Sequence, residues 1–87
     1  MGLSDMFKVI YSEEALYQLK KLDNDTAKRI IEKIGESGEN PVHFFKRLAG
    51  REEYKLRVGD YRIIADIMQK EKTIFIRSMG HRKKIYK

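Results

Sequence analysis

The 87-residue sequence predicts an α+β domain, a small sheet covered on one face by helices. Two observations carry this. The N-terminal half holds two apolar stripes at helical spacing, and the C-terminal half alternates apolar and polar side chains around a Gly59-Asp60 turn signal. The expected order is β-α-α-β-β-β, an antiparallel-dominated sheet with an N-terminal helical hairpin packed on one face. A chain of this length makes one domain, read here as residues 6–87 after a short extension at residues 1–5.

Residues 6–11 combine bulky and β-branched side chains, which predicts a strand. Ser12 then suits a helix N-cap, and Glu13 and Glu14 place anions at the positive end of the helix dipole. Ala15, Leu16, Leu19 and Leu22 form the first stripe, ended by Lys20 and Lys21 and by the Asp23-Asn24-Asp25 break. Ala27, Ile30, Ile31 and Ile34 form the second, which Gly35, Gly38 and Pro41 are expected to end. Both stripes read as core. Residues 43–50 read as a connecting turn. Residues 53–58 and 61–68 read as a hairpin, and 73–79 as a third strand after the polar loop at 69–72.

Composition removes several function classes. Without cysteine there are no disulfides, thiolate metal sites, iron–sulfur clusters or thiol nucleophile. Two histidines do not suggest a histidine-rich metal site, so neither metal nor other cofactor is expected. No apolar run approaches the roughly 18 residues of a membrane span, and MGLSDMF lacks a signal pattern. Met6 also stands where myristoylation needs Ser or Thr. The expected location is cytoplasmic.

The net charge of +6 is unevenly divided. Residues 1–43 carry six basic and eight acidic side chains, and residues 44–87 carry thirteen basic and five acidic, so the halves stand at −2 and +8. A positive half suggests a polyanionic partner.

The hairpin register sharpens that suggestion. With Gly59-Asp60 as a two-residue turn, Val58 opposes Tyr61, Arg57 opposes Arg62, Leu56 opposes Ile63, Lys55 opposes Ile64, and Glu53 opposes Asp66. One face then holds Tyr54, Leu56, Val58, Tyr61, Ile63, Ala65 and Ile67, the side that helices must cover. The other holds Lys55, Arg57 and Arg62 with Glu53, Ile64 and Asp66. Directly opposed like charges are destabilising, so a sheet selected only for stability has no need of the Arg57–Arg62 pair. A solvated polar face is the plain reading, and an anion site the functional one. The basic end adds His81, Arg82, Lys83, Lys84 and Tyr86 near the hairpin turn, a surface suited to single-stranded nucleic acid. Lys46, Arg47 and Arg77 are further candidates for RNA contact.

Metal-free RNA cleavage needs a base for the 2′-hydroxyl proton, an acid for the leaving 5′-oxygen, and cations around the phosphate. Arg57, Arg62 and Arg82 could grip phosphate oxygens bidentately. Lys55, Glu53 and His81 are candidate bases, and Tyr86 a candidate acid, stacking platform or anchor. No local motif decides among them.

These residues carry a resemblance. Tyr54-Lys55-Leu56-Arg57-Val58-Gly59-Asp60-Tyr61-Arg62, with Asn40-Pro41, Leu48-Ala49-Gly50, Gly80-His81-Arg82 and Tyr86, resembles a RelE-type toxin of the RelE/ParE toxin–antitoxin superfamily. The resemblance covers nearly the whole chain from Met6. It implies a microbial-ribonuclease-like RelE fold whose basic face enters the ribosomal A site and cuts messenger RNA without metal, by attack of the 2′-oxygen. It also implies an antitoxin of the RelB kind as partner, in a toxin–antitoxin hetero-oligomer, with Ile64, Phe75 and Met79 as apolar contacts. Residues matching the family's catalytic positions are Lys55, Arg62, Arg82 and Tyr86; Glu53 stands where relatives carry a further lysine, which leaves the base open. Two rivals remain on these grounds: a ParE-like toxin that poisons DNA gyrase, and a non-catalytic ribosome- or RNA-binding module.

Overall fold

The computed structural model describes residues 6–50 and 52–81. In chain order they form strand β1 (Lys8–Tyr11), helices α1 (Glu13–Lys20), α2 (Asn24–Ser37) and α3 (Pro41–Phe44), and strands β2 (Lys46–Arg47), β3 (Tyr54–Val58), β4 (Tyr61–Met68) and β5 (Thr73–His81). The strands make one sheet in the order β1-β5-β4-β3-β2, with β1 parallel to β5 and every other pair antiparallel. A strand entering beside β5 from the far end of the chain needs a long crossover, and the helices supply it. Among the described residues, no helix is long and apolar enough to cross a membrane.

The helix starts follow the local chemistry. Ser12 caps α1 by accepting the Ala15 N–H at 2.9 Å, and Glu13 and Glu14 occupy its first turn. Asp23 caps α2, accepting the Thr26 N–H at 3.2 Å and the Thr26 hydroxyl at 2.6 Å. Those hydrogen bonds from Thr26 hold the Asp23 carboxyl below its usual range. α2 continues through Gly35 to Ser37, past the expected stop, because the buried Ser37 hydroxyl donates to the Ile34 carbonyl at 2.6 Å.

Helices and sheet meet along Ala15, Ile30 and Ile34 on one side and Leu56, Ile63, Ala65, Ile74, Ile76 and Met79 on the other. The stripes are narrower than the sequence suggests: Leu16 and Ile31 are 44% and 46% exposed. Met79 also departs from expectation. It is 2% exposed in the core, so it is not available as an antitoxin contact, whereas Ile64 and Phe75 are half-buried on the opposite face.

Residues 43–50 are more than a connection. Buried Pro41 starts α3, Phe45 (2% exposed) anchors its end in the core, and Lys46–Arg47 pair with β3 as a fifth, edge strand. A second unforeseen feature is a β-bulge in β5. Ile64 opposes Ser78 but Ala65 opposes Ile76, so Arg77 is the extra residue. α1 secures both sides of it: the Ser12 hydroxyl donates to the Arg77 carbonyl at 2.7 Å, and the Gln18 side-chain oxygen accepts the Met79 N–H at 2.6 Å. The Gln18 amide donates in turn to Glu14 at 3.2 Å, which fixes its orientation.

Candidate nucleic-acid interface

The β3–β4 turn closes as the sequence predicts, with Gly59 at φ +61°, a conformation that disfavours any side chain. The resulting register pairs Val58 with Tyr61, Arg57 with Arg62, Leu56 with Ile63 and Lys55 with Ile64. Glu53 falls just outside β3, whose first pair is Tyr54 with Ala65.

On the face away from the helices, the edge strand adds to this pattern. Lys46 lies directly across from Lys55, and Arg57 directly across from Arg62. Four cations from three neighbouring strands therefore share one face by alternation. They line a cleft of about 270 Å³ together with Phe44 and Leu56, and no carboxylate is among the described residues that line it. Arg62 departs from the open placement expected of it: it is 6% exposed, a guanidinium at the floor of the cleft, whereas Arg57 at its side is exposed. Gly80 is the β5 partner of Arg62 and puts no side chain beside it.

The other candidates are distributed differently. His81 pairs with Tyr61, their rings meeting edge-on at 5.7 Å, and alternation puts both on the helix side of the sheet. It is not brought to the cleft. Glu53 and Arg77 are placed together at the bulge, where Arg77 contacts Asp66 at 3.0 Å and Glu53 at 3.7 Å. Arg47 pairs with Tyr54, on the side opposite Lys46, and reaches Glu52 at 3.1 Å. Arg82, Lys83, Lys84 and Tyr86, like the extension at 1–5, lie outside the described residues, although β5 delivers the chain to the hairpin end at His81.

Phe44 is the cleft residue that sequence reasoning missed. Its signal was the doubled aromatic Phe44-Phe45 before Lys46-Arg47, of which the core takes Phe45 fully and Phe44 only in part. The Phe44 ring contacts the His43 ring, edge to face at 5.6 Å, and the Lys33 ammonium of α2 stands over it, 5.9 Å from its centroid.

With this geometry in place, comparison with known proteins is decisive about family. A family profile described as the ParE toxin of type II toxin–antitoxin systems, parDE, matches residues 9–86. The chain belongs to that family. It is a toxin of the type II class with the RelE/ParE fold, as the resemblance implied. The archaeal RelE–RelB complex from Pyrococcus horikoshii OT3 is 26% identical at a TM-score of 0.78, over 91% of this chain and 98% of that one. The RelB–RelE antitoxin–toxin complex from Methanococcus jannaschii is 29% identical at 0.71, over 88% and 94%. The toxin–antitoxin complex RelBE2 from Mycobacterium tuberculosis shares the fold at 0.79 with 24% identity, over 88% and 92%. A search of curated protein sequences returns no match.

Proposed function

We propose that the protein is a metal-independent endoribonuclease that cuts messenger RNA in the ribosomal A site and so inhibits translation. The observation that carries this reading is the cleft in which Lys46, Lys55, Arg57 and Arg62 converge, with Arg62 at its buried floor. Placing four cations side by side costs stability and suits a ligand that is itself a chain of anions.

In the proposed reaction the 2′-oxygen attacks the adjacent phosphorus and the bond to the 5′-oxygen breaks. The products are a 2′,3′-cyclic phosphate and a free 5′-hydroxyl. Arg62 forks onto the non-bridging oxygens as charge builds on them, which a preorganised guanidinium does without reorganising. Lys55, diagonal to it across the β3–β4 pair, takes the 2′-hydroxyl proton as the neutral amine and becomes an ammonium beside the phosphate. Arg82 serves as phosphate ligand, and the Tyr86 phenol gives its proton to the leaving 5′-oxygen. Glu53 and His81 fit the base role less well, since Glu53 contacts Arg77 and His81 lies on the helix side.

The proposed partner is an antitoxin of the RelB kind that covers the toxin and blocks ribosome entry. Three similar structures are toxin–antitoxin complexes, which supports this reading. The ParE description of the matching family supports a second reading, a gyrase poison on the same fold. Inducing the protein, mapping messenger RNA 5′ ends on ribosomes and scoring gyrase-dependent DNA breaks in parallel separates them. Codon-positioned cuts are the expected result. DNA breaks without cuts would replace the first reading by the second.

A further inference from the structure

The cleft has an aromatic wall that phosphate binding does not need. Phe44 comes from α3, a different element from the strand cations, and lines the same cavity as Lys46, Lys55, Arg57 and Arg62. Its neighbour Phe45 already fills the core position, at 2% exposure, whereas Phe44 is only half-buried. The ring is preorganised: the His43 ring meets it edge-on and the Lys33 ammonium stands over it. Lys33 is itself steadied by Glu36 at 3.6 Å. At about 270 Å³ the cavity falls just under the roughly 300–1,000 Å³ of drug-sized ligand pockets. That is room for about one nucleotide unit. Cations that hold phosphate beside an aromatic that can stack a base is the arrangement single-stranded nucleic acid exploits.

We propose that this cleft is a nucleotide subsite in which Phe44 stacks one base of the single-stranded RNA while Lys46, Lys55, Arg57 and Arg62 hold the flanking phosphates. The proposal rests on the ribonuclease reading and deepens it, making Phe44 a positioning residue that sets which nucleotide lies over the cations. Stacking on a phenyl ring is tolerant of sequence, so Phe44 fixes register along the strand more than base identity.

The test uses the full chain and a short single-stranded RNA whose 2′-O-methyl groups block cleavage. Its comparison strand has the same phosphates and riboses but is abasic. The wild-type protein should bind the abasic strand about tenfold more weakly, as loss of one aromatic stack implies. Phe44→Leu should lose a similar factor toward the RNA, retain cooperative melting, and keep the salt slope, because no phosphate contact has been removed. The sequence contains no Trp, so Phe44→Trp introduces a unique indole, and the RNA should quench its emission while the abasic strand does not. If RNA and abasic strand bind equally and the indole emission is unchanged, the stacking role is wrong and the phosphate-binding reading stands. If neither strand binds at low salt, the subsite falls, phosphate grip and stacking together, while the mapping of messenger RNA 5′ ends on ribosomes still decides the ribonuclease reading. Should one variant fail to fold, the other carries the test. A folded Phe44 variant with wild-type RNA affinity and unchanged emission would overturn the stacking role even where the abasic strand binds more weakly, because Tyr86 is a second candidate platform.

Discussion

Two halves of the same sheet face use the same residue types to opposite ends. At the bulge, Arg77 lies between Asp66 and Glu53, at 3.0 Å and 3.7 Å, and its carbonyl is held by Ser12. At the hairpin end, cation faces cation: Arg57 across from Arg62, and Lys46 across from Lys55. The first half is arranged as a protein stabilises itself, with opposite charges adjacent. The second sets like charges opposite one another, the pattern that a polyanionic ligand would complement. Local charge matching therefore separates candidate site from scaffold on one surface, which the net charge of +6 could not do.

The largest expected effect lies at the cleft floor. Arg62→Ala should lower the rate of messenger-RNA cleavage by roughly 10²–10³, the cost of removing one preorganised electrostatic contact. It is read as loss of growth arrest with thermal melting retained. Arg62→Lys should recover only part of the rate, since an ammonium lacks the planar fork. Undiminished cleavage by a folded Arg62→Ala variant would remove the distinction between the halves.

Lys46→Gln comes next, and is read as salt dependence. Each phosphate contact on a single strand adds about 0.7 to the slope of log affinity against log salt. This variant should flatten it by about that amount. Arg77→Gln, whose charge is engaged by Asp66 and Glu53, should change it far less.

A smaller effect is expected from the bulge scaffold. Ser12→Ala removes an N-cap and the hydrogen bond to the Arg77 carbonyl together. It should cost about 1 kcal/mol of stability in denaturant melts. RNA affinity should be retained, because the hairpin register is set by Gly59-Asp60 and not by the bulge.

That register was legible in the sequence for a physical reason. A two-residue turn with Gly in a left-handed conformation fixes every pair along the hairpin, and alternation then assigns Lys55, Arg57 and Arg62 to one face. What the hairpin does not contain was harder to read. Lys46–Arg47 is too short to show alternation, so the edge strand that brings Lys46 opposite Lys55 looked like a turn. The bulge at Arg77 depends on groups that α1 supplies from the other end of the chain. Alternation also reports which face a residue occupies but not its depth, so the burial of Arg62 was invisible, as was the place of Phe44 on the cleft wall. The nearness of His81 to the turn was legible too, since it pairs with Tyr61 there, but its face depended on the pairing of β5.

The finest test sets two arginines of the same face against each other by sign. Arg57→Gln relieves a direct like-charge opposition, so it should raise stability by a few tenths of a kcal/mol while weakening RNA binding. Arg77→Gln removes exposed ion pairs, so it should lower stability by less than about 1 kcal/mol while leaving RNA binding nearly intact. Denaturant melts and RNA titrations on the two variants give four measurements with opposed expected directions. Two arginines that destabilise alike when removed would mean that the Arg57–Arg62 opposition is already offset within the fold. The tolerated repulsion would then no longer single out the hairpin end as the place built for an anion.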